Sequence, residues 1–339
     1  IMTTDSATSR KIDRAVFPGE QGGPHIHAIA ALATTLKIAK TEQFKKLQHQ
    51  IIKNCIALTD QLASRGLRIS YGGTNTHLAN IDCKTIVGAD GTTLSGDLAA
   101  RILDVAGIVL NRNTIPGDKT ALNASGIRYG TPWMTQRGLV EKDMVEVGNI
   151  MADVLLATRP YSLETRKGEA VRAKVDFDIL QDARLRVRKL AESAGIDFEP
   201  TRHGYPHYYF IDDKPERKDN WAVYDIKGVN VRGFVNYVFT SDAEALKPGE
   251  HQNTSIMGPK GTVDGVLTCI TPRHFRFSLP ADKAGAAITW LRDLSDGYIA
   301  FDPDLHRRTP GPIYISESAD EPVRQAEGTP IYPQKPYAI

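Results

Sequence analysis

The sequence predicts an α/β layer followed by a smaller α+β part, and three observations predict it. A long helical period opens the first part, alternating apolar runs broken by glycines follow it, and near Asp197 the composition shifts to short strand patterns ahead of one more helix.

Phe44, Leu47, Ile51, Cys55, Leu58 and Leu62 recur at three- and four-residue steps, with Thr41 placed to cap and Gly66 to stop, so one amphipathic helix is expected over 41–66. Leu67, Ile69 and Tyr71 then alternate with polar residues and run into Gly72-Gly73. A second run over 77–82 completes a strand–turn–strand pattern. Ser95 caps a shorter helix carrying Leu98, Ile102 and Val105, stopped by Gly107, and the apolar triplet 108–110 reads as the next strand. A loop rich in Asn, Pro, Gly and Asp spans 111–130, and helical patterns follow at 140–157 and 175–194.

Beyond 197 the chain is crowded with His, Tyr, Pro and charge to 219, which reads as loop. Short strands are expected at 221–225 and 229–231, a longer one at 262–270, and a helix at 281–294 with Ile288, Leu291 and Leu294 on one side. Residues 234–239 fit helix or strand by period alone. After Phe301 many prolines and little periodicity predict an extended wrap or a linker. The expected division is 1–197, 198–302 and 303–339.

The chain has 339 residues, 41% of them hydrophobic, with 42 basic and 40 acidic side chains and a net charge of +2. That near-neutral balance offers no surface for nucleic acid or an anionic membrane, so the expected partners are small molecules and sister subunits. The apolar stretches fall short of the ~20 residues a spanning helix requires, and no secretory leader is visible, so a soluble cytoplasmic protein is expected. Cys55, Cys83 and Cys269 are few, odd in number and far apart, and are expected as reduced core residues. The opening Ile1-Met2-Thr3-Thr4 reads as the end of a strand, as if the chain were a piece of a longer polypeptide.

Two segments carry recognisable chemistry. Phe17-Pro18-Gly19-Glu20-Gln21-Gly22-Gly23-Pro24 lies ahead of an Ala-rich helical stretch over 25–40, where backbone N–H groups and the helix dipole suit an anion; a tight turn feeding a helix is the alternative. His25 and His27 are two apart, the wrong step for two metal ligands on one helix face. Ser125-Gly126-Ile127-Arg128-Tyr129-Gly130-Thr131-Pro132 holds an Arg between glycines, a fork suited to a carboxylate or, alternatively, to a surface ion pair. Asn111, Asn113 and Asp118 nearby offer hydrogen bonds and are equally ordinary turn formers.

The segments VFPGEQGGP (16–24), GGTNTHL (72–78), NRNTIPGDK (111–119) and SGIRYGTP (125–132), in this order, resemble the C-terminal part of serine hydroxymethyltransferase. The resemblance implies a pyridoxal 5'-phosphate enzyme of the aspartate-aminotransferase fold, a homodimer or homotetramer that moves a hydroxymethyl unit between serine and glycine with tetrahydrofolate. By motif, Gly22 and Gly23 would lie at the cofactor phosphate of the neighbouring subunit and Arg128 would clamp the substrate carboxylate. Asn113 and the segment from Thr120 to Leu122 would approach the folate. The family's Schiff-base lysine sits in a Thr-His-Lys motif upstream of the Val-Phe-Pro-Gly segment, and these 339 residues contain no such motif. The expectation is therefore that this chain alone does not catalyse the reaction.

A second resemblance covers the later part. HGYPHYY (203–209), AVYDI (222–226), TSDAEALKPG (240–249) and GTVDGVL (261–267) are similar, in order, to the start of the glycine-cleavage T protein, an aminomethyltransferase that handles folate-bound one-carbon units. It implies a small folate-binding module in which Asp264 faces the folate amine as a catalytic carboxylate, with Gly265 where that family usually has a second acid. A solvent-facing Asp on a half-buried strand is the alternative. Tyr205, His207, Tyr208 and Tyr209 suit stacking on a pteridine or simple anchoring of the loop. The combined expectation is a fused one-carbon enzyme, with a non-catalytic folate-holding or assembly module, or another amino-acid substrate, as alternatives.

Overall fold

The computed structural model describes residues 2–166, 168–194, 209–215 and 220–326. The chain divides into two compact units, 1–50 and 51–339.

In the first unit, α1 (Ser6–Arg14) begins where the Asp5 carboxylate accepts from Thr8 N at 2.7 Å. The strand expected at the start of the chain is not found over residues 2–4, which are exposed and lead straight into that cap. A looped segment is closed by Gln21 N donating to Val16 O at 2.7 Å, and α2 (Ile26–Ala39) follows as expected, burying none of its residues. Helix α3 (Glu42–Ser64) starts at Thr41, whose hydroxyl accepts from Phe44 N at 3.2 Å.

The predicted stripe of α3 is buried from Ile51 on, through Cys55, Leu58 and Leu62. Beside it lies a three-stranded antiparallel sheet, order β1 (Leu78–Asp82), β3 (Gly126–Gly130), β2 (Asn111–Asn113), with α4 (Gly96–Val105) capped by Ser95. Two strand expectations are corrected here. The run from Leu67 to Tyr71 shrinks to one bridge, Ile69 to Ile81, because Tyr71 turns to φ 68° ahead of Gly72. The apolar triplet 108–110 is not a strand; the paired residues are the polar Asn111–Asn113, inside the stretch expected as loop, since pairing with β3 rather than apolarity defines that strand. Helices α5 (Pro132–Gln136) and α6 (Glu141–Leu156), the unexpected hairpin β4 (Arg159–Thr165) and β5 (Gly168–Lys174), and α7 (Phe177–Ser193) follow.

The later part is α+β. Five antiparallel strands lie in the order β10 (Tyr314–Glu317), β6 (Trp221–Lys227), β9 (His274–Pro280), β8 (Gly261–Thr271), β7 (His251–Gly258). Helices α8 (Val231–Val238) and α9 (Ala284–Asp296) complete it. Residues 229–231, expected as a strand, instead lead into α8, where Val231, Phe234, Val235 and Val238 are all buried at helical spacing; the same spacing resolves 234–239 as mainly helix. The Pro-rich tail contributes β10, which pairs with β6 and covers the edge of that longer strand. All three cysteines are buried and unpaired.

Helices α4, α7 and α9 meet at one buried ion pair. Arg184 forks onto Asp293 through Nη1 at 2.9 Å and Nη2 at 2.6 Å, while its Nε donates to Val105 O at 2.8 Å. Gln181 Nε2 adds a third donor to Asp293 at 2.7 Å. Because one partner alone leaves an uncompensated buried charge, Arg184→Met should cost about 3–5 kcal/mol, whereas the double change Arg184→Met, Asp293→Leu should recover most of it. Urea unfolding midpoints at unchanged slope measure both; equal losses in the single and double variants would contradict this account.

Candidate functional site

The three-stranded sheet has two unlike faces. Ala79, Ile81, Ile127 and Tyr129 point into the core and are buried, so the alternate residues of the same strands, Asn80, Arg128, Asn111 and Asn113, share the opposite face. Arg128 is paired in register with Asn80 on β1 and with Asn111 on β2. Its side chain is exposed beside an open cleft of about 560 Å³, lined by His77, Leu78, Val109, Leu110, Asn111 and the Arg128–Gly130 end of β3. Among the described residues Arg128 has no ion-pair partner. A guanidinium with its donors free at a cleft can receive a carboxylate in a bidentate manner.

Glycine at 126 allows the next layer to form: a Cβ there would lie 2.4 Å from Ile115 Cγ2, so the loop following β2 packs directly on the strand. Asp118 pins that loop. Its Oδ2 accepts from Ile115 N at 3.0 Å and Ser125 N at 2.9 Å, and its Oδ1 accepts from the Ser125 hydroxyl. Lys84 Nζ, itself donating to Ser125 Oγ at 2.8 Å, lies 3.6 Å from Asp118. Burial pushes the Asp118 carboxyl up, but the Ser125 hydroxyl, the two N–H groups and Lys84 outweigh it and bring it down to about 2. Asp118 is thus a loop-builder. Asn113 Nδ2 donates to Thr114 O at 2.7 Å, and Thr120 and Leu122 stand exposed further along the loop, Leu122 at 81%.

Gly22 and Gly23 belong to the first unit. They are exposed, no atom lies within 4 Å of a Cβ built on either, and α2 begins at Ile26 with no side-chain cap. The backbone there is open to an approaching anion, at a helix start where first-turn N–H groups favour one. The His25 and His27 rings meet edge to face at 5.6 Å, and among the described residues no group of three His, Cys, Asp or Glu side chains is placed to hold a metal.

Asp264 lies apart from the Arg128 cleft in sequence and sheet, on β8. It is exposed, opposite Ser255 on β7, whose hydroxyl donates to Asp264 Oδ1 at 2.5 Å. That exposure is the position the solvent-facing alternative expects. The neighbouring Gly265 faces inward, and a Cβ there would meet Ser278 O at 2.4 Å and the Phe277 ring at 2.5 Å, which closes that position to an acid. Tyr209 donates to Ile315 O at 3.1 Å and packs edge-on against Tyr224, so it anchors its loop; Tyr205, His207 and Tyr208 lie outside the described residues.

Sequence reasoning missed Asn80. The alternation in the run 77–82 already places it on the polar face, but only the β1–β3 register sets it against Arg128.

With known proteins, residues 3–151 match the model of the serine hydroxymethyltransferase family. The chain is 41% identical over 196 residues to a serine hydroxymethyltransferase of Bombyx mori, covering 58% of this chain and 40% of that one. To a mitochondrial serine hydroxymethyltransferase of Candida glabrata it is 43% identical over 185 residues, 54% of this chain and 37% of that one. A cytosolic serine hydroxymethyltransferase of Oryctolagus cuniculus is 46% identical over 140 residues, 41% of this chain and 28% of its own length. The chain therefore spans no more than 40% of the length of these relatives. The matched segment contains Gly22, Gly23, Asn80, Asn113 and Arg128, and ends before Asp264.

A carboxyl held down to about 2 contributes stability that is complete above its unfolded value near 4 and is lost as the pH falls towards 2. The wild-type protein should therefore lose about 2 kcal/mol more than Asp118→Asn between pH 4 and pH 2, read from urea midpoints across that window. Parallel pH profiles for the two proteins would remove Asp118 as the loop's anchor.

Proposed function

We propose that this chain is part of a serine hydroxymethyltransferase, in which Arg128 holds the substrate carboxylate while a hydroxymethyl unit passes between serine and glycine with tetrahydrofolate. The observation that carries the reading is Arg128 at an open cleft, without an ion-pair partner among the described residues and inside the segment that matches the family. Pyridoxal phosphate, when bound, supplies the electron sink for bond cleavage at the amino acid. The open Gly22–Gly23 backbone fits its phosphate, and these residues would reach the cofactor of a neighbouring subunit. Arg128 orients the amino acid through its carboxylate. Asn113, Thr120 and Leu122 would line the approach of the folate, on the loop that Asp118 holds. A homodimer or homotetramer is supported by α2, whose Ile26, Ile29, Leu32 and Leu36 are all more than half exposed. No described helix is long and apolar enough to cross a membrane, and a cytoplasmic location is proposed from the three unpaired cysteines.

For the later part we propose a shortened aminomethyltransferase-like module, 198–302, fused to the first. The exposed Asp264 and the sterically closed Gly265 favour a folate-holding or assembly role over transfer.

Replacing Arg128 by Lys keeps the charge and removes the planar fork. In the full-length protein it should reduce kcat/KM for serine by an amount worth about 2–4 kcal/mol of transition-state stabilisation, and unchanged serine kinetics would reassign Arg128 to structure. For the later module, Asp264→Asn should leave folate binding, followed by fluorescence titration, and serine–glycine conversion intact. Loss of a glycine-derived methylene transfer in that variant would instead make Asp264 a catalytic residue.

A further inference from the structure

We infer that Asn80 is a positioning residue for Arg128, holding the back edge of the guanidinium so that the other edge faces a carboxylate in the cleft. The inference rests on the proposed reading of Arg128 as the carboxylate clamp and adds a second residue to it.

Asn80 and Arg128 are direct partners in the antiparallel β1–β3 register, and such partners project to the same side with Cβ atoms about 5 Å apart. Both side chains therefore leave the core-facing side to Ala79, Ile81, Ile127 and Tyr129. On this shared face the two residues have complementary deficits. Asn80 Oδ1 is buried and has no hydrogen-bond partner. Most buried polar atoms are paired, and one that is not carries the full cost of its lost hydration, which marks it for an unmade contact. Arg128, directly across the ladder, has no ion-pair partner among the described residues. A guanidinium carries five N–H donors, and a bidentate carboxylate uses only two of them. The remaining donors can serve a single fixed acceptor on the sheet, and Asn80 is the one that the register supplies.

The physical effect is orientation. An arginine side chain loses much rotamer freedom when its fork is fixed, and a second contact on the far edge lowers the loss that the ligand must offset. Asn111, the partner of Arg128 on its other side, lines the cleft that a ligand would enter. Arginine aimed between two amides selects a planar carboxylate by angle as well as by charge.

The test uses the full-length protein loaded with pyridoxal phosphate, labelled with ¹⁵N-arginine and titrated with serine, following the Arg128 side-chain resonances and the apparent Kd. Two variants are compared with wild type and with Arg128→Lys. Asn80→Leu matches the side chain in size but accepts no hydrogen bond, and should weaken serine binding by about tenfold, the usual worth of one hydrogen bond to a charged group. Asn80→Asp keeps a polar side chain of the same size, which covers the case in which the leucine variant fails to fold. Its carboxylate should capture the fork as an internal ion pair, shift the Arg128 resonances without ligand, and weaken serine binding more than the leucine variant does. Lowering the pH far enough to protonate the introduced carboxylate should restore part of that binding. Serine affinity within twofold of wild type in Asn80→Leu, or an Asn80→Asp variant with unmoved Arg128 resonances, would overturn the inference while Arg128→Lys still lost serine. A wild-type full-length protein in which serine leaves the Arg128 resonances unmoved would overturn the clamp reading and this inference together.

Discussion

The buried pair of Arg184 and Asp293 is the constraint on which residues 51–326 depend. Asp293 is fully buried on α9, and burial, with the charge of Asp296 nearby, raises its carboxyl to about 6 despite the pull of Arg184. The charge is tolerable there only because three N–H donors from α7 converge on it, two from Arg184 and one from Gln181. The same guanidinium also satisfies Val105 O at the C-terminal end of α4, where the helix dipole favours a positive charge. One side chain thus joins the helix behind the Arg128 sheet to the helix of the five-stranded sheet. The Phe177 and Trp290 rings, 5.0 Å apart and edge to face, and the bridge from Val175 to Ile299 reinforce the same junction. Contacts therefore cross the position where the composition shifts near residue 197.

The tail closes the other side of the five-stranded sheet. After β10 pairs with β6, the chain runs on across the outer face: Val323 N donates to Ser278 Oγ at 3.2 Å, and Asn253 exchanges hydrogen bonds with Ala326. Arg276 links the strap through Asp320 while also donating to Asp225 at 2.9 Å. Upstream, Lys174 is almost fully buried, donates to Arg307 O at 2.6 Å and sits 4.7 Å from the Phe301 ring centroid. Burial depresses its pKa to about 8, the electrostatic consequence of placing an ammonium beneath the tail. An extended, Pro-rich segment with no core of its own is held by these contacts to others' side chains.

The candidate site follows from a division of labour between two faces of one small sheet. Apolar residues at alternate positions commit β1 and β3 to the core, and that commitment forces the intervening polar residues to the outside, in line with one another. Arg128 stands there with no ion-pair partner among the described residues. Asp118, by contrast, is consumed by the loop it builds. An acidic and a basic residue from the same stretch of sequence thus end in opposite roles, one satisfied and one available.

Much of this was legible in the residues themselves. The helices from α2 to α4, and α6, α7 and α9, follow from period and capping because those signals are local, and the Gly22-Gly23 and Arg128 segments follow from their motifs. Local signals failed where pairing decides the outcome. Strand β2 is made of Asn, Arg and Asn, which no apolar pattern marks, and Leu67 to Tyr71 has a strand's alternation yet yields only one bridge. Asn80 reads as an unremarked polar residue until β1 lies against β3, and Arg184 reaches Asp293 across 109 positions of chain. Asp264 could be buried or exposed by pattern, and the packing of Gly265 against Phe277 placed the glycine inside and the acid outside. The sequence by itself determined which segments are helices and which side chains carry recognisable chemistry, because periodicity and capping act within a few residues. Only the tertiary structure decided which polar groups are satisfied and which stay free for a ligand, because that depends on long-range partners.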